Sequence, residues 1–149
     1  MGAVTYPNQG VVDFVNANFI PLKFDSTRDQ KRFNEFNAQW TPTIIIYDQN
    51  QKEHHRTTGY LSPETFLSEM RLGLAKMEYD LKRYNEALQA YKQVIQAYPE
   101  TSAAPEALYF SGVCNYMATH DPSHLKETFT ALKEKYPRSD WTRKAEVWS

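Results

Sequence analysis

The stretch Trp40-Thr41-Pro42-Thr43-Ile44-Ile45-Ile46-Tyr47 decides how the chain is expected to fold. Residues 43–47 form its best candidate strand, because the side chains are β-branched and apolar almost without interruption. Such a continuous run is typical of a strand buried on both faces. Pro42, directly before the strand, can adopt a cis peptide bond at modest cost, although the same proline is also explained as a simple strand start.

A helix, a short strand and a second helix are predicted on the N-terminal side of this stretch. Residues 7–19 carry apolar side chains at helical spacing. Residues 20–24 follow as a short strand, in which Pro21 leaves a gap in the donor row and favours an edge position. Residues 27–40 then form a helix that places three aromatic side chains on one side: Phe33, Phe36 and Trp40.

On the C-terminal side, a hairpin and a long helix are predicted. Residues 48–51 form a turn, and residues 53–58 form a polar strand suited to a sheet edge. Ser62 caps the next helix, with Pro63 at its first position. Beyond it the sequence indicates only helices and turns, so the predicted domains are residues 1–75 and residues 76–149.

The order of these elements resembles the thioredoxin-like family. Trp40-Thr41-Pro42-Thr43 resembles the loop in which thioredoxins place a cis-proline, and Arg56 to Phe66 resembles the end of the fourth strand and the start of the last helix. Tyr6 to Leu22 resembles the later part of the first helix and the following strand. The resemblance implies an α/β fold with an incomplete thioredoxin-like sheet, in which Trp40, Thr41 and Pro42 shape a groove.

Two parts of the family pattern are missing: the first strand and the Cys-x-x-Cys. A dithiol cycle needs a thiolate and a resolving cysteine, and the chain has only Cys114, so no catalytic residue is predicted. In the family the missing strand lies between the segments matching 20–24 and 43–47. Either these two segments pair directly as parallel strands joined by a crossover connection, or another chain fills the gap. The second alternative leads to the hypothesis of a homodimer.

The C-terminal half resembles tetratricopeptide repeats. Ala87, Tyr91 and Pro99 occupy the small, aromatic and proline positions of a second repeat helix, and Gly112 stands where repeat helices pack closest. Phe129 and Pro137 recur 38 residues after Tyr91 and Pro99 (129 − 91 and 137 − 99). The resemblance implies an all-α tail that binds a protein or peptide on its concave face.

No metal site or cofactor is predicted. His120 and His124 have a spacing that can hold zinc, but Asp121-Pro122-Ser123 between them indicates an exposed helix start with no third ligand. His54 and His55 are adjacent in a strand, so the side chains are expected on opposite faces, at a surface or edge. Cys114 is expected to be a buried structural thiol. Trp141 and Trp148 are explained equally by an exposed patch of an incomplete repeat and by an interaction surface.

Charge and hydropathy exclude several classes of function. The net charge is −1 with no basic stripe, so nucleic acid is not expected as a partner. No apolar run reaches the roughly 20 residues of a membrane helix. No signal peptide is visible, so a cytoplasmic location is expected, unless the natural chain starts upstream of Met1.

The sequence therefore supports two main functional hypotheses, with a purely structural domain that stabilises a larger assembly as a third possibility. The first is a non-catalytic protein-interaction or scaffold module. The alternative is a fragment of a thiol–disulfide oxidoreductase whose Cys-x-x-Cys lies upstream of Met1.

Overall fold

A computed structural model describes all residues from 1 to 149. The elements in chain order are α1 (Gln9–Asn18), α2 (Gln30–Glu35), β1 (Thr43–Tyr47), β2 (Glu53–Thr58), α3 (Pro63–Asp80), α4 (Tyr84–Ala97), α5 (Ala103–Thr119), α6 (Ser123–Lys135), α7 (Asp140–Ala145) and a 3-10 turn (Glu146–Trp148). A small sheet is thus followed by a helical tail, which confirms the predicted fold class.

The sheet contains two antiparallel strands, β1 and β2. Thr43 lies opposite Thr58, and Ile46 lies opposite His55. The register then shifts between Ile46 and Tyr47, so one additional residue of β2 stands in a β-bulge.

The strand predicted for residues 20–24 is absent. Ile20 is 91% exposed and Leu22 is 78% exposed, and the segment is irregular. A short strand persists only when a neighbour accepts its hydrogen bonds, and β1 pairs with β2 alone. The expected parallel pairing of residues 20–24 with residues 43–47 is therefore wrong.

The second helix is much shorter than predicted. Instead of residues 27–40, only Gln30–Glu35 is helical, because Asn37 adopts a left-handed conformation (φ 48°) that ends it. Asp25 closes a turn before the helix, because its carboxylate accepts from the backbone N–H of Thr27 at 2.8 Å. Trp40 consequently lies outside any helix.

Strand β1 is fully buried on one face only, while on the other face the Phe36 ring lies 5.6 Å from that of Tyr47. Ile46 is the single fully buried residue of the strand and belongs to a cluster with Val11, Leu61, Phe66 and Met70. The prediction of burial on both faces is wrong, because the helices that contribute to this cluster, α1 and α3, lie on the same side of the hairpin.

Helix α3 begins as predicted and packs against both halves of the molecule. Ser62 accepts a hydrogen bond from the Thr65 N–H at 3.3 Å, and Pro63 is the first helical residue. Phe66 packs in the cluster of the hairpin, whereas Leu72 packs with the buried side chains of α4 and α5. The predicted domain boundary after residue 75 falls inside this helix and stays a prediction.

The tail forms a stack of antiparallel helix pairs. Ala87, Tyr91 and Val94 of α4 are fully buried. Gly112 of α5 faces Thr128 of α6, where any added side chain would collide. Pro99 and Pro137 lie in the exposed turns after α4 and α6. The Tyr136 hydroxyl links these turns by donating to the Pro99 carbonyl at 3.0 Å.

Candidate interaction surfaces

The Trp40-Thr41-Pro42 loop lies at the surface, immediately before β1. Its Thr41–Pro42 peptide is cis. The Thr43 hydroxyl donates to the Trp40 carbonyl at 2.6 Å, and the Gly59 N–H donates to the Pro42 carbonyl at 2.8 Å. These bonds position the loop, while the Trp40 side chain is 71% exposed and free to contact another molecule.

The outer edge of β1 has no strand beside it. Hydrogen-bonded pairs alternate along an antiparallel ladder. Because the Pro42 carbonyl bonds to Gly59 and the Asp48 N–H bonds to the Lys52 carbonyl, the even-numbered residues face β2. The N–H and C=O groups of Thr43, Ile45 and Tyr47 therefore point away from β2, toward an edge that offers them no protein partner.

His54 and His55 are buried, each with 7% of its surface exposed, so the predicted surface role is wrong. His54 Nδ1 lies 2.6 Å from Asp80 Oδ2, and His54 Nε2 lies 3.0 Å from Asp48 Oδ2. His55 Nε2 lies 2.8 Å from Glu69 Oε2. Glu69 and Asp80 both belong to α3, so the two histidines face one helix and not opposite sides.

The β-bulge explains this departure from strict alternation. His54 is the additional residue between the pairs Ile46–His55 and Tyr47–Glu53. A bulge interrupts the alternation of side chains, so two consecutive residues can face the same layer. Nothing local in Glu53-His54-His55-Arg56 marks the bulge, so sequence reasoning missed it.

The histidine contacts continue into the helical tail. Lys76 of α3 lies 3.5 Å from His55 and forms a 2.6 Å ion pair with Glu106 of α5. The Ser102 hydroxyl, just before α5, donates to Glu69 at 3.2 Å. The hairpin, α3 and α5 are therefore joined by polar contacts as well as by apolar packing.

A continuous row of aromatic side chains joins α3, α5 and the C-terminal helix α7. Tyr79 contacts Phe110, with ring centroids 5.4 Å apart, and Phe110 contacts Trp141 at 5.5 Å. Tyr109 stacks on Trp148, with centroids 4.4 Å apart. All of these side chains are half-buried. The row, called the aromatic row below, consists of Tyr79, Tyr109, Phe110, Trp141 and Trp148.

A charged group lies over one ring of the aromatic row. The Lys144 ammonium stands 3.9 Å above the Trp141 ring, a cation–π contact. The row thus combines apolar surface with a positive charge, and Trp141 and Trp148 are anchored by packing while part of each ring stays accessible.

Cys114 is a buried thiol, as predicted. Burial raises the pKa of Cys114 to about 12, so the thiol stays neutral at physiological pH and lacks the thiolate character that exchange chemistry requires. It packs in the cluster of Tyr91 and Ala107.

His120 ends α5 in a left-handed conformation (φ 59°), and His124 lies in the first turn of α6. The Asp121 carboxylate accepts from the Ser123 N–H at 2.9 Å, in the turn between the two histidines. No three His, Cys, Asp or Glu side chains in the structure are arranged to hold a metal ion. No helix is both long and apolar enough to cross a bilayer.

Comparison with known families agrees with this architecture. A family model described as a thioredoxin-like domain matches residues 4–73, and one described as a tetratricopeptide repeat matches residues 69–101. The chain therefore carries a thioredoxin-like domain over residues 4–73 and a tetratricopeptide repeat over residues 69–101, as the sequence motifs indicated. The two matches overlap at residues 69–73, inside α3.

No curated protein matches the chain. No solved structure matches it either.

Proposed function

We propose that this chain is a non-catalytic protein-interaction module. The observation that carries the proposal is the aromatic row on α3, α5 and α7. Partly exposed Tyr and Trp side chains held by packing offer contact area at low entropic cost, which is why such residues are enriched among binding hot spots.

The proposed partner is a protein or peptide with apolar side chains and at least one acidic group. Lys144 over Trp141 offers the cation for such a group. The net charge of −1 gives no attraction for a phosphate backbone, so nucleic acid is not part of the proposal.

The experiment is capture of partners from a native extract by the immobilised full chain. Tyr109→Ala combined with Trp148→Ala removes the stacked pair, and Trp40→Ala is the matched control because Trp40 lies outside the row. We expect specific partners to be lost with the double variant and retained with the control. Partners that bind the wild type, the double variant and the Trp40 variant equally would contradict the assignment to the aromatic row. Circular dichroism checks that the double variant is folded.

The alternative function is thiol–disulfide exchange by a longer natural chain with a Cys-x-x-Cys upstream of Met1. The thioredoxin-like match and the exposed Trp40-Thr41-Pro42 loop support this alternative. N-terminal peptide sequencing of the endogenous protein tests it. A natural chain that extends through a Cys-x-x-Cys favours exchange chemistry, whereas one that begins at Met1 removes it.

We also propose self-association through the incomplete sheet. The unpaired outer edge of β1 supports this part of the proposal, because an apolar edge strand without a neighbour favours strand addition. Sedimentation of the full chain over a range of concentrations tests it, and a mass independent of concentration would contradict it.

A further inference from the structure

We propose that two copies of the chain pair antiparallel along β1, with Ile45 opposite Ile45 of the second copy. This inference rests on the proposed self-association and specifies its register. The product is a four-stranded sheet in the order β2–β1–β1–β2.

The register follows from the direction of the backbone groups. Only Thr43, Ile45 and Tyr47 direct N–H and C=O groups toward the outer edge, because the even-numbered residues are bonded to β2. A two-fold axis beside Ile46 would pair Ile45 with Tyr47 of the other copy but leave Thr43 without a partner, and an axis beside Ile44 would leave Tyr47 without one. An axis beside Ile45 pairs all three outward residues: Ile45 with itself, and Thr43 with Tyr47 of the other copy.

The side chains fit the same register. Residues directly opposite each other in an antiparallel pair share a face of the sheet. Ile44 of one copy would therefore lie opposite Ile46 of the other, on the face that packs against α1 and α3. The apolar clusters of the two copies would then become continuous. Backbone hydrogen bonds between the two edges alone would not join these clusters.

The outer edge also lacks the devices that prevent strand addition. Natural edge strands carry lysine, an inward charge, a proline or a bulge. Residues 43–47 contain no charged residue and no proline. The bulge lies in β2, which pairs with the opposite edge of β1. A two-stranded sheet is marginal alone, so a second copy supplies the strands that stabilise it. An identical segment satisfies every free group symmetrically, which favours a second copy over an unrelated strand.

The experiment uses two double variants of the full chain that differ in the sign of the charge at position 47. Thr43→Lys with Tyr47→Lys places like charges opposite each other in the proposed register. Thr43→Lys with Tyr47→Glu places opposite charges there instead. Within one copy both positions lie on the same face of β1, four residues apart. Because Tyr47 lies opposite Glu53 of β2, thermal unfolding of each diluted variant measures its effect on the monomer.

Sedimentation velocity measures the outcome. We expect wild type to approach twice the chain mass of 17.4 kDa as concentration rises. The dissociation constant should rise at least about tenfold in the Lys–Lys variant and stay near wild type in the Lys–Glu variant, since like charges directly opposite destabilise a strand pair. Concentration-dependent protection of the Ile45 amide from hydrogen exchange should accompany the dimer.

Three results would overturn the inference. One is a wild-type chain that stays monomeric at all concentrations, whether or not it binds a strand from another protein. The second is a dimer equally strong in both double variants, which would place the contact elsewhere. The third is a dimer whose Ile45 amide stays unprotected. None of these results affects partner capture by the aromatic row, so failure here is distinguishable from failure of the interaction function.

Discussion

Gly73 of α3 lies directly against His55 of β2, so that a Cβ at position 73 would stand 3.0 Å from the Cβ of His55. The same Cβ would collide with Ile46 of β1. Because position 73 has no side chain, the helix approaches the hairpin closely enough for Glu69 and Asp80 to reach the two buried histidines. This close contact between sheet and helix thus lies in the stretch shared by the two family matches.

We predict that Gly73→Ala destabilises the chain. Overpacking typically costs about 1–3 kcal/mol, and the helix preference of alanine returns about 1 kcal/mol, so the net free energy of unfolding should fall by up to about 2 kcal/mol. Urea denaturation measures the change. Gly2→Ala is the control, since nothing lies within 4 Å of a Cβ there. Equal stability of the two variants would show that α3 moves away from the hairpin without cost.

Local signals were sufficient to predict much of this fold. The Ser62-Pro63 start of α3, strand β1 and the buried Ala87 and Tyr91 depend on neighbours within one turn or one strand. The residue types in these segments therefore indicate the local structure directly. The polar strand β2 was also predicted in the right place.

Features that depend on distant partners could not be predicted in the same way. Residues 20–24 have the composition of a strand, yet no adjacent strand accepts their hydrogen bonds. The local pattern predicts that His54 and His55 are exposed. A bulge instead turns both toward carboxylates of α3, which lie 26 residues from His54 and 14 residues from His55 in sequence. The aromatic row likewise depends on how α3, α5 and α7 pack.

We predict that stability falls in alkaline solution because of Cys114. Burial raises its pKa from the ordinary 9.0 to about 12. Above pH 9 the thiol ionises in the unfolded chain but not in the folded chain, so unfolding becomes more favourable as pH rises toward about 12. Urea midpoints at several alkaline pH values measure the slope.

Cys114→Ala serves as the comparison for this slope. It should show a shallower loss of stability, although not a flat one, because burial also raises the pKa of Tyr91. Identical slopes in the variant and wild type would contradict the assignment to Cys114.

We predict that Asp48 contributes acid sensitivity. The hydrogen bond with His54, followed by the bond from the Lys52 N–H, lowers the pKa of Asp48 below its ordinary 3.8. Its contribution to stability is therefore complete above the ordinary pKa and is lost as pH falls through the lowered pKa. Asp48→Asn should flatten the pH dependence of stability below about pH 4.

The control for this prediction is Asp13→Asn. Asp13 is an exposed residue of α1 and accepts only from the Gln9 amide, at 2.7 Å. Thermal unfolding of the three chains across the acid range makes the comparison. A profile for Asp48→Asn that coincides with wild type would show that the Asp48–His54 contact does not contribute in solution.

We predict opposite outcomes for removing two tyrosine hydroxyls in the helical tail. The Tyr91 hydroxyl is buried without a hydrogen-bond partner, whereas the Tyr136 hydroxyl donates to the Pro99 carbonyl across the two repeat turns. A buried polar group without a partner loses its hydration and gains nothing in return. Tyr91→Phe should therefore leave the free energy of unfolding unchanged or raise it by up to about 1 kcal/mol, while Tyr136→Phe should lower it by about 0.5–1 kcal/mol. Because each substitution removes one oxygen and keeps the ring, urea denaturation of the two variants isolates the hydroxyl. A clear loss of stability in Tyr91→Phe would mean that this hydroxyl has a hydrogen-bond partner in solution, such as a buried water within the α4–α5 core.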